Sequence, residues 1–354
     1  MADGTTIEWT DATWNPITGC QVKSPGCKHC YAMKLAGTRL KHHWSRKGLT
    51  IDTKNGPVWN GQVQFNEAWL TQPLHWTKPR MIFVCAHADL FYEAVPYEWI
   101  DQIFAVMALA PQHIFQVLTK RPGRMLEYFE SIENGDQRLA GAGWRDALIE
   151  GTAQAIYAAR HPGEDPSLWL AVHSPLKNAL LGCSIEDQAR ADERRDSLRR
   201  LSEMGWKTWV SYEPALGPVD WTGWEFLNWI VSGGESGQDA RSHHPDWHRA
   251  TRDFCAANAI PYLFKQWGCL IDADQIAGRI AEATKAGTAW IMRDGQVWVP
   301  PVPLNFGDAA WLAEFLGHAF EHQSDGTTLL RMKKGDAGRL LDGRTHDGFP
   351  QVQP

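Results

Sequence analysis

Residues 179–214 read ALLGCSIEDQARADERRDSLRRLSEMGWKTWVSYEP and hold one complete strand–helix–strand unit. Ala179–Cys183 is an unbroken apolar run, the pattern of a strand buried on both faces. It ends in Ser184, Glu186 and Asp187. Leu198, Leu201 and Met204 then fall on one helical face, and Gly205 is a natural C′ stop. Lys207–Ser211 is a second run, ending in Glu213 and Pro214. A helix between two short buried strands is the signature of a parallel crossover. Such crossovers are right-handed, so the polar strand ends open on one side.

The same rhythm extends both ways. Met81–Cys85 leads to His87, Asp89 and Phe91, then to a helical face of Trp99, Ile100, Ile103, Phe104 and Met107. His113–Leu118 ends in Thr119, Lys120 and Arg121, and Pro122 suits the first turn of a helix. Asn228–Ser232 ends in Gly233, Gly234, Glu235 and Ser236. A helix follows with Pro245 near its start and Trp247, Ala250 and Phe254 on one face. Pro261–Phe264 ends in Lys265, Gln266 and Trp267. With one strand before Cys20, these runs make seven strands. The expected fold is α/β, a partial or full parallel (β/α) barrel, with an open doubly wound sheet as the alternative. Residues 1–270 form the expected barrel, with an insertion at 133–176 that holds a helix near Trp144–Ala159. Residues 271–354 form an expected C-terminal extension, with an edge strand or loop at 295–303 and a short helix at 309–320.

A net charge of −6 argues against a chain coated in basic residues, but not against a local basic groove. The 19 Trp exceed ordinary need; most are expected to fill the core, and a few to line a pocket where a flat ring stacks. The N-terminus shows no signal peptide, and no apolar run approaches the ~20 residues of a membrane span. The expectation is a cytoplasmic protein, in a bacterium or a phage-infected host cell.

Three of the seven cysteines lie close together, in GCQVKSPGCKHCYA at 19–32. The spacing is Cys20-x6-Cys27-x2-Cys30, with a Pro25–Gly26 turn before the second cysteine. Clustered thiolates point to a metal in a reducing compartment. One reading is a [4Fe–4S] cluster whose open iron chelates S-adenosylmethionine. Another is a closed zinc site with His29, His42 or His43 as fourth ligand. A third is unrelated buried thiols.

The N-terminal stretch Ile7–Glu8–Trp9–Thr10, Trp14–Asn15–Pro16, Gly19–Cys20, Cys27 and Cys30–Tyr31–Ala32 resembles the phage-associated three-cysteine-motif family. Leu118–Thr119–Lys120–Arg121–Pro122, Glu213–Pro214, Gly233–Gly234–Glu235–Ser236–Gly237 and Lys265–Gln266–Trp267–Gly268 extend the match. That family resembles radical SAM enzymes, including the spore photoproduct lyase branch. The resemblance implies a partial barrel and a [4Fe–4S] cluster on Cys20, Cys27 and Cys30. The first cysteine gap is longer than the superfamily's usual one, and His29 stands where an aromatic residue is usual. Gly233–Gly234–Glu235 follows the sixth strand rather than the second, so the superfamily role of that motif is not transferred.

The strand ends supply the remaining candidates. Asp89, Ser184, Glu186, Glu213, Gly233, Gly234 and Glu235 are candidate cofactor contacts; helix caps and salt bridges are the plainer roles for the polar side chains, and a tight turn for the glycines. Lys120 and Arg121, with Arg124 a turn later, are candidate phosphate or carboxylate contacts. Lys265, Gln266 and Trp267 offer a cation, an amide and a ring. Arg39–Lys47 (RLKHHWSRK) reads as a basic lip beside the cysteine loop or as a solvated helix face. The first expectation is a radical SAM-type enzyme acting on a nucleotide or nucleic acid, with an electron donor and a genomically linked partner protein as possible associates. The alternative is a non-enzymatic zinc or iron–sulfur module binding nucleic acid or a partner protein. A third reading is a barrel enzyme using Asp89, Glu186 and Glu213 for acid–base work.

Overall fold

The computed structural model describes residues 4–130, 144–272, 290–291, 297–298, 320–325, 327–331 and 334–351. Its frame is one seven-stranded parallel sheet: β1 (Ala12–Trp14), β2 (Met81–Val84), β3 (Ile114–Thr119), β4 (Ala179–Ser184), β5 (Lys207–Tyr212), β6 (Trp229–Gly233) and β7 (Tyr262–Gln266). Each strand pairs with its neighbour in sequence, and β1 and β7 do not meet among the described residues. The sheet therefore curls into an open half-barrel, the partial form of the expected architecture.

Helices α1 (Tyr31–Gly37), α2 (Tyr97–Leu109), α3 (Pro122–Glu130), α4 (Trp144–Arg160), α5 (Gln188–Glu203) and α6 (Pro245–Ala257) complete the frame. Local chemistry sets several boundaries. Asp187 caps α5 by accepting from the Arg190 N–H at 2.9 Å, and Gly205 leaves it at φ 93°. Pro122 and Pro245 open α3 and α6, where a missing N–H costs nothing.

Strand alternation splits the core. Ile82, Val84, Phe115, Val117, Leu181, Val210 and Ile230 face the helices. Trp9, Phe83, Leu180, Trp209, Trp229, Val231 and Leu263 face the concave side. There Trp9 and Trp209 meet at 5.3 Å between ring centroids, and Trp209 stacks on Trp229 at 5.0 Å. Gln116 fastens the plug by donating to the Trp9 carbonyl at 2.8 Å. These tryptophans fill the concave side of the half-barrel, and the strand-end polar groups gather at its C-terminal mouth.

Between β1 and β2 the chain makes an excursion that includes the Thr50–Thr53/Gly56–Trp59 hairpin. Residues 38–49 are turns and bends rather than a helix. At the far edge, Leu263 bridges Asp347 and the Gly348 N–H donates to the Tyr262 carbonyl at 2.9 Å, so residues 346–348 cover the β7 edge. The expected helix near Trp144–Ala159 is α4. Val297–Trp298 is a short strand paired with Trp290–Ile291, while the rest of 295–303, residues 131–143 and residues 309–319 lie outside the described residues. No helix among the described residues is long and apolar enough to cross a membrane.

Candidate functional site

The strand-end candidates gather around the mouth, and each carboxylate there meets a cation. After β2, Asp89 accepts from the Thr119 hydroxyl at 2.6 Å, the Lys120 N–H at 3.0 Å and Arg121 Nη1 at 2.9 Å. After β4, Glu186 is fully buried and accepts from Lys120 Nζ, Arg194 Nη1 and the Ser24 hydroxyl. Burial alone would raise its carboxyl; Lys120 and Arg194 outweigh that and hold it below the ordinary carboxylate range. Glu213, after β5, pairs with Lys265 at 3.1 Å. Glu235, after β6, takes Arg241 Nε at 2.9 Å and His29 Nδ1 at 3.0 Å. Burial again opposes and the hydrogen bonds of Arg241 prevail, so its carboxyl is also lowered.

These contacts strap the cysteine loop across the mouth. Ser24 reaches Glu186, the Pro25 carbonyl accepts from Arg241 Nη1 at 3.0 Å, and His29 reaches Glu235. Gly26 lies so close to Glu186 that an added Cβ would stand 2.5 Å from Oε1. A Cβ on Gly234 would lie 2.2 Å from the Trp267 carbonyl, and one on Gly233 2.8 Å from Glu213 Oε1. The Ser184 carbonyl accepts from Arg194 Nη1 at 2.7 Å. Gln266 donates to the Gly234 carbonyl at 3.4 Å. Trp267 is fully buried, and its indole N–H donates to the Leu340 carbonyl at 2.7 Å.

The thiols correct one expectation. Among the described residues, the set of three His, Cys, Asp or Glu ligand atoms lying within 4.8 Å of one another is His244, Asp246 and Asp325, not Cys20, Cys27 and Cys30. The expected [4Fe–4S] cluster with S-adenosylmethionine is therefore overturned. Cys20 and Cys30 instead pack beside Ala32, Met33, Ala36, Leu49 and Trp59. Burial is the main force raising both thiols above their ordinary range, which favours the uncharged form. The gathered trio offers nitrogen and oxygen donors, a set nearer to zinc than to an iron–sulfur cluster. His244 Nδ1 accepts from the Asp246 N–H at 3.2 Å, and its Nε2 lies 2.7 Å from Asp325 Oδ2. The first of these contacts also caps α6.

A second polar region adjoins the cysteine loop. Thr18, two residues before Cys20, donates through its hydroxyl to the Ser45 carbonyl. That bond docks the 39–47 segment beside the loop. Arg46 is 4% exposed and lies over the Trp69 ring at 5.8 Å, and its Nη1 donates to the carbonyl and hydroxyl of Ser45. Among the described residues, its Nε is buried with no hydrogen-bond partner, and no carboxylate pairs with it. Burial pushes the Arg46 guanidinium down to about 10. Burial, helped by Arg46, pushes nearby His87 down to about 4. Trp44, 50% exposed, packs on Trp69 at 4.7 Å. Tyr31, 49% exposed, meets His87 edge-on at 6.0 Å. A buried cation thus shares a band with two half-exposed rings.

In the sequence Arg46 is one cation of the 39–47 charge run, and Arg194 is not among the strand-end candidates. Arg194 had a visible signal: it falls on the stripe of Ala191, Leu198 and Leu201, the buried face of α5. Arg46 had none, because its burial depends on the distant Trp69 and on the docking through Thr18.

A family model described as Protein of unknown function (DUF5131) matches residues 4–350. No curated protein matches the chain in sequence. Among solved structures, one mutant of spore photoproduct lyase is 10% identical, with 91% of this chain and 68% of that chain covered and a TM-score of 0.34. A second mutant is 10% identical, covering 95% and 72%, with a TM-score of 0.36. Spore photoproduct lyase complexed with dinucleoside spore photoproduct is 11% identical, covering 91% and 68%, with a TM-score of 0.32. The likeness is distant and confined to the fold. The chain belongs to the DUF5131 family.

Proposed function

We propose that this member of the DUF5131 family binds single-stranded nucleic acid on the face formed by the 39–47 segment and the start of α1. The observation that carries the reading is Arg46, a buried guanidinium with no acidic partner among the described residues, which shares Trp69 with the half-exposed Trp44 and neighbours His87, on which the half-exposed Tyr31 packs. A buried charge demands a counter-charge. A backbone phosphate supplies one, and the adjoining rings offer faces on which unpaired bases stack. Lys47 adds a cation along the same segment, while Lys41 is paired with Asp52 at 2.6 Å. The chain as a whole is acidic, so binding is confined to this face rather than spread over the surface.

The test is fluorescence anisotropy of a labelled single-stranded oligonucleotide at several salt concentrations. A stacked base contributes about 1–3 kcal/mol, so Trp44→Ala is expected to weaken binding by roughly tenfold. Arg46→Gln is expected to lower the salt dependence as well as the affinity. Wild-type protein that shows no anisotropy change at low salt contradicts the reading.

A further inference from the structure

The mouth of the half-barrel has a second cation whose hydrogen bonds are incomplete. Arg194, on α5, is 1% exposed. Its Nη1 donates to the Ser184 carbonyl at 2.7 Å and to Glu186 at 3.1 Å. Its Nε and Nη2 are buried and have no hydrogen-bond partner among the described residues. Those two nitrogens form the side edge of the guanidinium, the fork that holds two oxygens of one phosphate or carboxylate. Arg194 lines a cleft of about 330 Å³ together with Lys23, Lys120, Arg121, Gly123 and Ser197.

The start of α3 lines the same cleft. Pro122 has no N–H, so the donors of this first turn begin with Gly123 and Arg124. A helix N-terminus attracts anions through these N–H groups and through its dipole. A Cβ placed on Gly123 would find Ser197 Oγ as its nearest neighbour, at 3.9 Å, so the backbone there is open to a close approach. Glu93, Glu127 and Glu193 also line the cleft.

We infer that the cleft between the N-terminus of α3 and the buried fork of Arg194 binds a phosphate group. The inference rests on the nucleic-acid reading only for where the phosphate comes from: a phosphorylated strand end, or phosphate free in solution. The fork and the helix start recognise either.

Phosphorus NMR of inorganic phosphate titrated with the full chain tests the site, and anisotropy of 5′-phosphorylated and 5′-hydroxyl oligonucleotides tests the source. Arg194→Lys keeps the charge and removes the fork; Ser197→Asp leaves Arg194 in place and sets a like charge at the mouth. Both are expected to weaken phosphate binding about tenfold or more. Ser197 is partly exposed, so the aspartate variant should keep the wild-type melting temperature and serves if Arg194→Lys unfolds. A preference for the 5′-phosphorylated strand that Ser197→Asp removes identifies a strand end as the ligand. Phosphate binding without any oligonucleotide binding upholds the cleft and removes the nucleic-acid reading. Phosphate that does not bind, or that binds the folded Ser197→Asp variant as tightly as wild type, overturns the inference.

Discussion

Replacing Gly26 by alanine tests how firmly the cysteine loop is strapped over the mouth. The new Cβ would stand 2.5 Å from Glu186 Oε1, 2.7 Å from Cγ and 3.0 Å from Cδ. A long side chain normally swings away, but Glu186 is fully buried and held by Ser24 at 2.6 Å, by Arg194 at 3.1 Å and by Lys120. Relief requires either the loss of one charge-assisted bond, about 1.5–3 kcal/mol, or a shift of the loop, with overpacking costs of about 1–3 kcal/mol. The expected destabilisation is therefore about 2–3 kcal/mol, read as a lower urea midpoint at unchanged m-value. A double-mutant cycle isolates the cause. In the Glu186→Ala background the obstacle is gone, and Gly26→Ala should cost less than about 0.5 kcal/mol. Equal costs in both backgrounds, or a negligible cost in the wild type, would refute the strap.

Other consequences concern pH and packing. Glu186 and Glu235 are lowered when folded, so their contribution is complete above the ordinary carboxylate pKa and is lost as pH falls through the folded values. Urea midpoints should fall steeply in acid below about pH 4.5, and Glu235→Gln should flatten that slope. His243 and His248 are buried and lowered, chiefly by burial, and bond to each other at 2.8 Å. Their neutral forms match the fold, so stability is intact above about pH 6.5 and falls by up to about 1.4 kcal/mol per pH unit for each histidine below it. His248→Gln should reduce the slope between pH 5 and 6.5 in thermal melts. Trp209 fills the concave side with Trp9 and Trp229, so Trp209→Ala should cost about 3–5 kcal/mol in urea unfolding.

The frame of the fold was legible because strands covered on both faces carry unbroken apolar runs. Ala179–Ser184 is buried at every position, and its sequence shows it. Helix punctuation was legible for the same local reasons, at Asp187, Gly205 and Pro122. The excursion between β1 and β2 was not, because its hairpin alternates weakly and lies largely open to water. Cysteine spacing suggested a cluster, but spacing along a chain does not set distances between sulfurs. The strap was out of reach for a related reason: Ser24 and Glu186 are 162 residues apart and meet only when the sheet curls. Polar strand ends marked where the mouth would be. They did not reveal that each carboxylate there already has a cation, nor that Arg46 has no anionic partner among the described residues.

The most direct test of the nucleic-acid reading is hydrogen–deuterium exchange of the full chain with and without a single-stranded oligonucleotide at low salt. The account predicts slower exchange in residues 39–47 and in the first turn of α1, with the remote β7 edge at 346–348 unchanged. No protection in 39–47, or protection confined to other faces, would contradict it.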